Sequence, residues 1–375
     1  MAAADILIIG AGIAGASAAA ELARTHRVVL VEGETAPGYH STGRSAAVFS
    51  ESYGNRVVRA LTRASRDFFH DPPAGFSPYP LLKHRSWLHV ASGNQAAALE
   101  QFLATEDIAT RARRISAQEA LTLSPLLRPQ TAAAGGAYEK DAADIDVDAL
   151  HQGYLRLLRQ RRGTVLTSAH VTAIARTAGK WRVASTAGEF HTDVVINAAG
   201  AWADRVAGLA GAAPMRIQPC RRTAALVELF EREIPDAWPV TIDIEEAYYF
   251  KPDSGLLLVS PADETPVEPC DVQPEELDVA IAVDRLEKAT RARVKRVRRT
   301  WAGLRSFAPD RSPVIGFDPA APGFFWLVGQ GGYGFQTAPA AAAVAAALVR
   351  DEARPPELAG YDPAAVSPAR FAGTS

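Results

Sequence analysis

The residues best suited to chemistry stand near the start of the chain, in Gly10-x-Gly12-x-x-Gly15 followed by Glu32. Glycine at these three positions does three things: Gly10 permits a tight turn, Gly12 lets a pyrophosphate approach the backbone, and Gly15 lets a helix pack on the strand before it. Ile13 and Ala14 open that helix, where outward N–H groups and the positive end of the dipole attract phosphate. Glu32 offers a carboxylate to the hydroxyls of an adenosine ribose. The chemistry is dinucleotide binding. A glycine triplet alone also marks an ordinary turn, so the flanking elements matter. They are an apolar strand at Asp5–Ile9, an alanine-rich helix, and a second apolar strand, Arg27–Glu32, in the required order.

Length and charge narrow the rest. The 375 residues allow two domains, or one with a large insertion. With 40 Lys and Arg against 42 Asp and Glu the net charge is -2, and nothing favours nucleic acid or an anionic membrane surface. The basic run Arg291–Arg299 is the exception and is expected to be a solvated helix face. The two cysteines, Cys220 and Cys270, form neither a disulfide framework nor a metal-ligand spacing, so no metal is expected and a reducing cytoplasm is the default. No apolar run reaches the length of a membrane span, and no targeting segment is read.

After Glu32 comes a stretch of small and hydroxylic residues, Gly33 to Ala47. Ser41, Thr42, Gly43, Arg44, Ser45, Ala46 and Ala47 suit a backbone that follows a ligand, with Arg44 and a helix start at Ser45 near the phosphates. A helix is expected over 55–75, a short strand at 86–90, helix and loop over 95–130, and a helix capped by Asp148. Alternating residues around Val171 precede another apolar strand, Asp193–Asn197. This strand runs into Ala199, Gly200 and Trp202 as a second approach to the same ligand. From 216 to 305 the sequence alternates as antiparallel strands do, with a hairpin at Asp253-Ser-Gly255. Lys251 reads as a hairpin lysine, or else as a charge that promotes oxygen reduction. The chain returns through Trp301 to Arg305, then Gly331, Gly332, Tyr333, Gly334, Gln336 and Thr337, to a helix starting near Pro339.

Taken together, Gly10-x-Gly12-x-x-Gly15 with Glu32, Ser41–Ala47, Asn197-Ala-Ala-Gly200-Ala-Trp202, Trp301-Ala-Gly-Leu-Arg305 and Gly331-Gly-Tyr-Gly334 resemble the D-amino-acid oxidase superfamily. Within it the chain is most similar to the FAD-dependent D-arginine dehydrogenases. The resemblance implies an α/β chain with a Rossmann-like FAD domain (1–80, 145–215 and 306–375) and a mainly antiparallel substrate domain (81–144 and 216–305). It implies noncovalent FAD and hydride transfer from the Cα of a D-amino acid to flavin N5. The imino acid so formed hydrolyses to a 2-oxo acid and ammonia. The electron acceptor would be other than oxygen, a quinone or a carrier protein, and the chain a monomer or small homo-oligomer. By the same resemblance Arg222 and Arg305 clamp the substrate carboxylate, Tyr53 and Tyr249 donate phenolic hydrogen bonds, and the Gly332 carbonyl receives the amine.

Two positions depart from the arginine-preferring pattern: Trp87 replaces an acid and Val48 a histidine. A guanidinium without its carboxylate loses roughly 1.5–3 kcal/mol, so a neutral apolar or aromatic substrate is expected. Against this, Trp87 could stack on a cation, and Glu51, Glu245 or Glu246 could supply the charge. Oxidation of a 2-hydroxy acid or an N-methylated amino acid, and a noncatalytic FAD-binding redox sensor, stay open. Segments 49–53 and 245–249 are candidates for a lid.

Overall fold

A computed structural model describes residues 2–230, 234–353, 356–358 and 361–371. The strand Ile6–Ile9 is buried on both faces, as a four-residue apolar run requires. Ile6 and Ile8 point to one side and Leu7 and Ile9 to the other, and each pair enters a different core. The strand sits inside a six-stranded sheet ordered Thr164–Leu166, Val28–Val31, Ile6–Ile9, Val194–Asn197, Phe324–Val328 and Val314–Phe317. All neighbours are parallel except the last pair. The helices Ile13–Leu22, Val147–Gln160 and Gly334–Arg350 cover the first face. A small sheet containing Val171–Thr177, Lys180–Ser185 and Gly188–Thr192, with the helix Ala203–Ala210, covers the second.

The other large unit is a nine-stranded sheet, antiparallel except where Val240–Asp243 runs beside Trp87–Ala91. Its backbone is the long pair Gln218–Leu229 and Val294–Phe307, joined by Leu256–Ser260, Tyr249–Asp253 and Gly135–Glu139. The hairpin closes at Ser254-Gly255, as the Asp-Ser-Gly signal predicts. The helix Glu276–Ala289, unforeseen within this strand-rich region, packs Ala282 and Leu286 against the sheet core.

Several local expectations are corrected. Much of the basic run forms the outer half of the strand Val294–Phe307, not a helix. Among the described residues that strand has a partner on one edge alone; residues 295–300 are exposed, and cations suit an unpaired edge. Asp146, not Asp148, caps the helix Val147–Gln160 by accepting from the Ala149 N–H. Ser45 is extended, because the chain goes on to pair Val48–Phe49 with Ala143–Asp144. The last helix begins at Gly334, five residues before Pro339. Proline cannot donate inside a helix; next to it the Ala340 N–H donates to Ser65 Oγ at 3.1 Å.

Candidate active site

A cavity of about 540 Å³ runs from the glycine turn to the nine-stranded sheet. At its first end Gly10 has φ +102, and a Cβ there would lie 2.5 Å from the Ala198 carbonyl oxygen. A Cβ on Gly15 would stand 1.9 Å from the Gly10 oxygen, so helix and turn touch directly. Glu32 is oriented by the N–H groups of Ala11 (2.8 Å) and Glu34 (3.0 Å). The Ile13 N–H donates to Thr42 Oγ1 at 3.0 Å, which ties the 41–47 segment to the helix start.

That segment is also stitched to the far sheet. Ser41 Oγ donates to the Leu304 carbonyl (2.7 Å), and Trp301 Nε1 to the Arg44 carbonyl (3.0 Å). The Arg44 guanidinium is held by the Val272 carbonyl and the Asp271 carboxylate. Its charge is already partnered there by protein. Ser45, Ala46 and Ala47 line the cavity, as do Ala14, Val171, Ala199, Gly200, Trp202, Gly331, Gly332, Gly334 and Gln336. Gly43, Tyr333 and Thr337 do not line it, but each packs beside residues that do. The Thr337 hydroxyl is spent on the Tyr333 carbonyl.

The second end follows from strand register. Residues paired across a sheet share a face, and alternate residues along a strand do too. Val240 lies beside Trp87, Ile242 beside Tyr249, Arg222 beside Gly303, and Ala224 beside Trp301. With Lys251 and Arg305 they form one face of the sheet, and all of them line the cavity. Trp87 is 4% exposed and clusters with Ala142, Val240 and Ile242, against which Val48, Tyr53 and Tyr249 pack. This wall is apolar.

Beside it stand the arginines. Arg305 donates from Nε to the Gly331 carbonyl (2.8 Å), from Nη2 to the Tyr53 hydroxyl (3.3 Å), and from Nη1 to Glu264 Oε1 (3.0 Å). Arg222 reaches the same oxygen at 3.1 Å and the Asp263 carbonyl at 2.8 Å. Gly332 has φ +96, and a Cβ there would be 2.1 Å from Arg305 Nε, so the seat of Arg305 excludes any side chain at 332. Burial pushes the Tyr53 hydroxyl well above the ordinary phenol range, against the pull of the Arg305 charge, and it stays protonated.

The remaining candidates are placed differently from expectation. Lys251 is buried and donates to Asp144 at 2.6 Å instead of standing free on a hairpin. Two residues from Tyr249 on one strand, it must face the same way. Glu51 is 1% exposed and paired with Arg66 and Arg111. Glu245 hydrogen-bonds Gln95, and neither it, Glu246 nor Glu51 lines the cavity. Glu246 is near enough for its charge to act on Tyr53 and Arg305. Residues 49–52 are buried, and the Glu139 carboxylate accepts from Ser50 Oγ (2.6 Å), the Glu51 N–H (2.8 Å) and Ser52 Oγ. These contacts tie residues 50–52 to the strand Gly135–Glu139.

Glu264, Asp144 and His89 escaped the sequence reading. Glu264 lies in an irregular connection and Asp144 in a strand of three residues, too short to show periodicity. His89 falls on the Trp87 strand, and alternation alone would have placed it behind Trp87. Its Nε2 accepts from Trp87 Nε1 at 3.2 Å, and burial pushes its pKa down to about 3. The neutral ring therefore fixes the indole. An unfolded histidine titrates near 6.5, so the unfolded chain binds this proton first as pH falls. The stability contribution is complete above about pH 6.5 and is lost progressively toward pH 3. The melting temperature should fall across that window, and His89→Gln should flatten the fall; an unchanged slope would remove His89 as its source.

The cavity fits a large polar ligand. His40 Nδ1, Gln330 Nε2 and Gln336 Nε2 are buried along it without a hydrogen-bond partner among the described residues, and such groups are costly to leave unpaired. Neither cysteine lines it. Among the described residues no cluster could hold a metal ion, and no helix is long and apolar enough to cross a membrane.

Comparison with known proteins agrees with this geometry. The family described as FAD dependent oxidoreductase (DAO) matches residues 5–348. The hydrogen cyanide synthase subunit HcnC of Pseudomonas aeruginosa is 26% identical over 228 residues, 58% of this chain, and the chain spans about half of that relative's length, 53%. The uncharacterized oxidoreductase YurR of Bacillus subtilis is 26% identical over 96% of this chain and 98% of its own. The glycine oxidase of Geobacillus kaustophilus has the same fold, with a TM-score of 0.83 at 20% identity over 96% of this chain and 98% of its own.

Proposed function

Because the chain belongs to the DAO family of FAD dependent oxidoreductases, we propose that it oxidises the D-enantiomer of an amino acid with a neutral, apolar or aromatic side chain. The product is an imino acid that water hydrolyses to a 2-oxo acid and ammonia. The D preference, and an electron acceptor other than oxygen, follow from the resemblance to D-arginine dehydrogenases. We assign the six-stranded sheet to the cofactor domain and the nine-stranded sheet to the substrate domain.

FAD, when bound, supplies the oxidant that accepts a hydride from the substrate. The chain's own residues hold and orient. The Gly10–Gly15 turn and Glu32 would take the adenosine and pyrophosphate, and the unpaired Nδ1 of His40 and side-chain amides of Gln330 and Gln336 would be satisfied by polar atoms of the ligand. By the resemblance to D-arginine dehydrogenases the cofactor is held noncovalently. Arg222 and Arg305 fix the substrate carboxylate, for which a guanidinium pair is the suited donor set. Tyr53, protonated and held by Arg305, and Tyr249 donate further hydrogen bonds. The Gly332 carbonyl receives the amine, and a neutral amine needs no protein base.

The observation that carries the reading is the shared sheet face on which Arg222 and Arg305 adjoin the apolar wall of Trp87, Val240 and Ile242. One end binds a carboxylate and the other prefers a side chain without charge. An anaerobic titration with paired D- and L-amino acids, following flavin absorbance, tests it. Bleaching by D-phenylalanine or D-leucine and weak bleaching by D-arginine is the expected result. Bleaching by the 2-hydroxy analogue instead would replace amine with alcohol oxidation.

Trp87→Glu should raise the D-arginine to D-phenylalanine ratio of kcat/KM roughly ten- to a hundredfold, the scale of one restored charge-assisted hydrogen bond. An unmoved ratio would remove Trp87 from the specificity argument.

A further inference from the structure

In the clamp, both arginines already hold a carboxylate, and it belongs to the protein. Glu264 Oε1 accepts from Arg305 Nη1 (3.0 Å), Arg222 Nη2 (3.1 Å) and Arg311 Nη2 (2.9 Å), while Oε2 accepts from Arg311 at 2.8 Å. The three arginines differ in depth. The side chains of Arg305 and Arg222 are 8% and 12% exposed, that of Glu264 is 29%, and that of Arg311 is 50%. One carboxylate thus bridges two deep cations and a shallow one.

We infer that Glu264 is an internal competitor for the substrate carboxylate, held in the clamp when the site is empty and handed outward to Arg311 when substrate arrives. The inference rests on the assignment of Arg222 and Arg305 as the clamp. Its physical reason is the cost of leaving a buried guanidinium without an anion. Glu264 meets that need in the empty site, and an incoming carboxylate meets it afterwards.

The surrounding structure permits this exchange with one side chain. The Asp263 carboxylate is fixed by the Thr223 N–H (2.7 Å) and hydroxyl (3.0 Å), and its carbonyl by Arg222. On the other side Thr265–Pro266 pairs with Cys220 and Arg221. The backbone on both sides of Glu264 is thereby anchored, so its movement is a rotation of the side chain. Arg311 is fixed as well, with its guanidinium 3.8 Å from the centroid of Phe307 and its carbonyl accepting from Asn55 Nδ2 at 3.1 Å. It already shares both oxygens of Glu264 and can keep Oε2 while Oε1 leaves the deep pair.

The arrangement also filters ligands. A carboxylate can replace Glu264 on Arg222 and Arg305 like for like. An amine without a carboxylate cannot make that exchange. Glu264 is therefore a specificity residue for amino acids over simple amines.

The test uses the FAD-loaded protein and propionate, a carboxylate with no amine to oxidise, with binding read from the flavin spectrum. Glu264→Gln should tighten propionate roughly tenfold, the scale of one charge-assisted hydrogen bond. It should lower KM for the best amino acid. Arg311→Met should act in the opposite direction, because Glu264 then has no other cation to take it. In the double variant the Arg311 substitution should have no further effect. Weaker propionate binding in Glu264→Gln, or an Arg311→Met effect that persists without Glu264, overturns the exchange. Absence of propionate binding in both the parent and Glu264→Gln would instead overturn the clamp assignment itself, and the two failures are distinct.

Discussion

Arg305→Ala should lower kcat/KM for every carboxylate-bearing substrate together, by about two to four orders of magnitude. Removing one partner from a buried, hydrogen-bonded charge group costs about 3–5 kcal/mol, and Arg305 has three such contacts. Its loss leaves the Gly331 carbonyl, the Tyr53 hydroxyl and Glu264 without their shared donor. A charge-retaining Arg305→Lys should recover only part of the loss, because an ammonium cannot present the planar fork that reaches all three. The measurement is steady-state kinetics across a panel of side chains. A loss confined to one side chain would place Arg305 in the side-chain pocket and sink its role as clamp.

The second large effect is expected at Gly15. Gly15→Ala should yield protein that purifies with little flavin and is destabilised by about 1–3 kcal/mol, the usual cost of overpacking. The added Cβ would lie 1.9 Å from the Gly10 carbonyl oxygen, which is backbone in a turn and cannot swing aside. Helix and turn must separate, and with them the N–H groups that face the pyrophosphate. Flavin content and thermal melting measure the two parts. Full flavin occupancy with an unchanged melting temperature would show that the turn tolerates the shift and would weaken the assignment of this end to the cofactor.

How far the molecule was legible depended on the range of the interactions. The glycine turn, its two strands and the hairpin at Ser254-Gly255 are local, and residue type at fixed spacing specifies them. The capping error was also local: Asp146 and Asp148 are both good caps, and only the path out of Ala143–Ile145 decides between them. The start of the last helix was misplaced because proline marks first turns by frequency. Here the neighbouring Ser65 hydroxyl takes up an N–H beside Pro339 and lets the helix continue.

The site was legible as a set of residue types and not as an arrangement. Resemblance supplied Tyr53, Arg222, Tyr249 and Arg305, while register explains why the last three share a face. Lys251 shows the limit well. Its alternation with Tyr249 was visible, but the partner Asp144 comes from 107 residues away. Glu264 carried no signal, since a single acid in an irregular connection looks like any other.

By itself, then, the sequence determined the cofactor-binding turn, the α/β class and the alternating strands, because each rests on steric limits and periodicity within a few residues. Only the tertiary structure decided which charges are available. It paired Glu51, Arg44 and Lys251 with distant partners, set Trp87 on a buried neutral histidine, and brought Arg222, Arg305 and Arg311 onto Glu264. Pairing of charges depends on distance and burial in space, and separation along the chain contains neither.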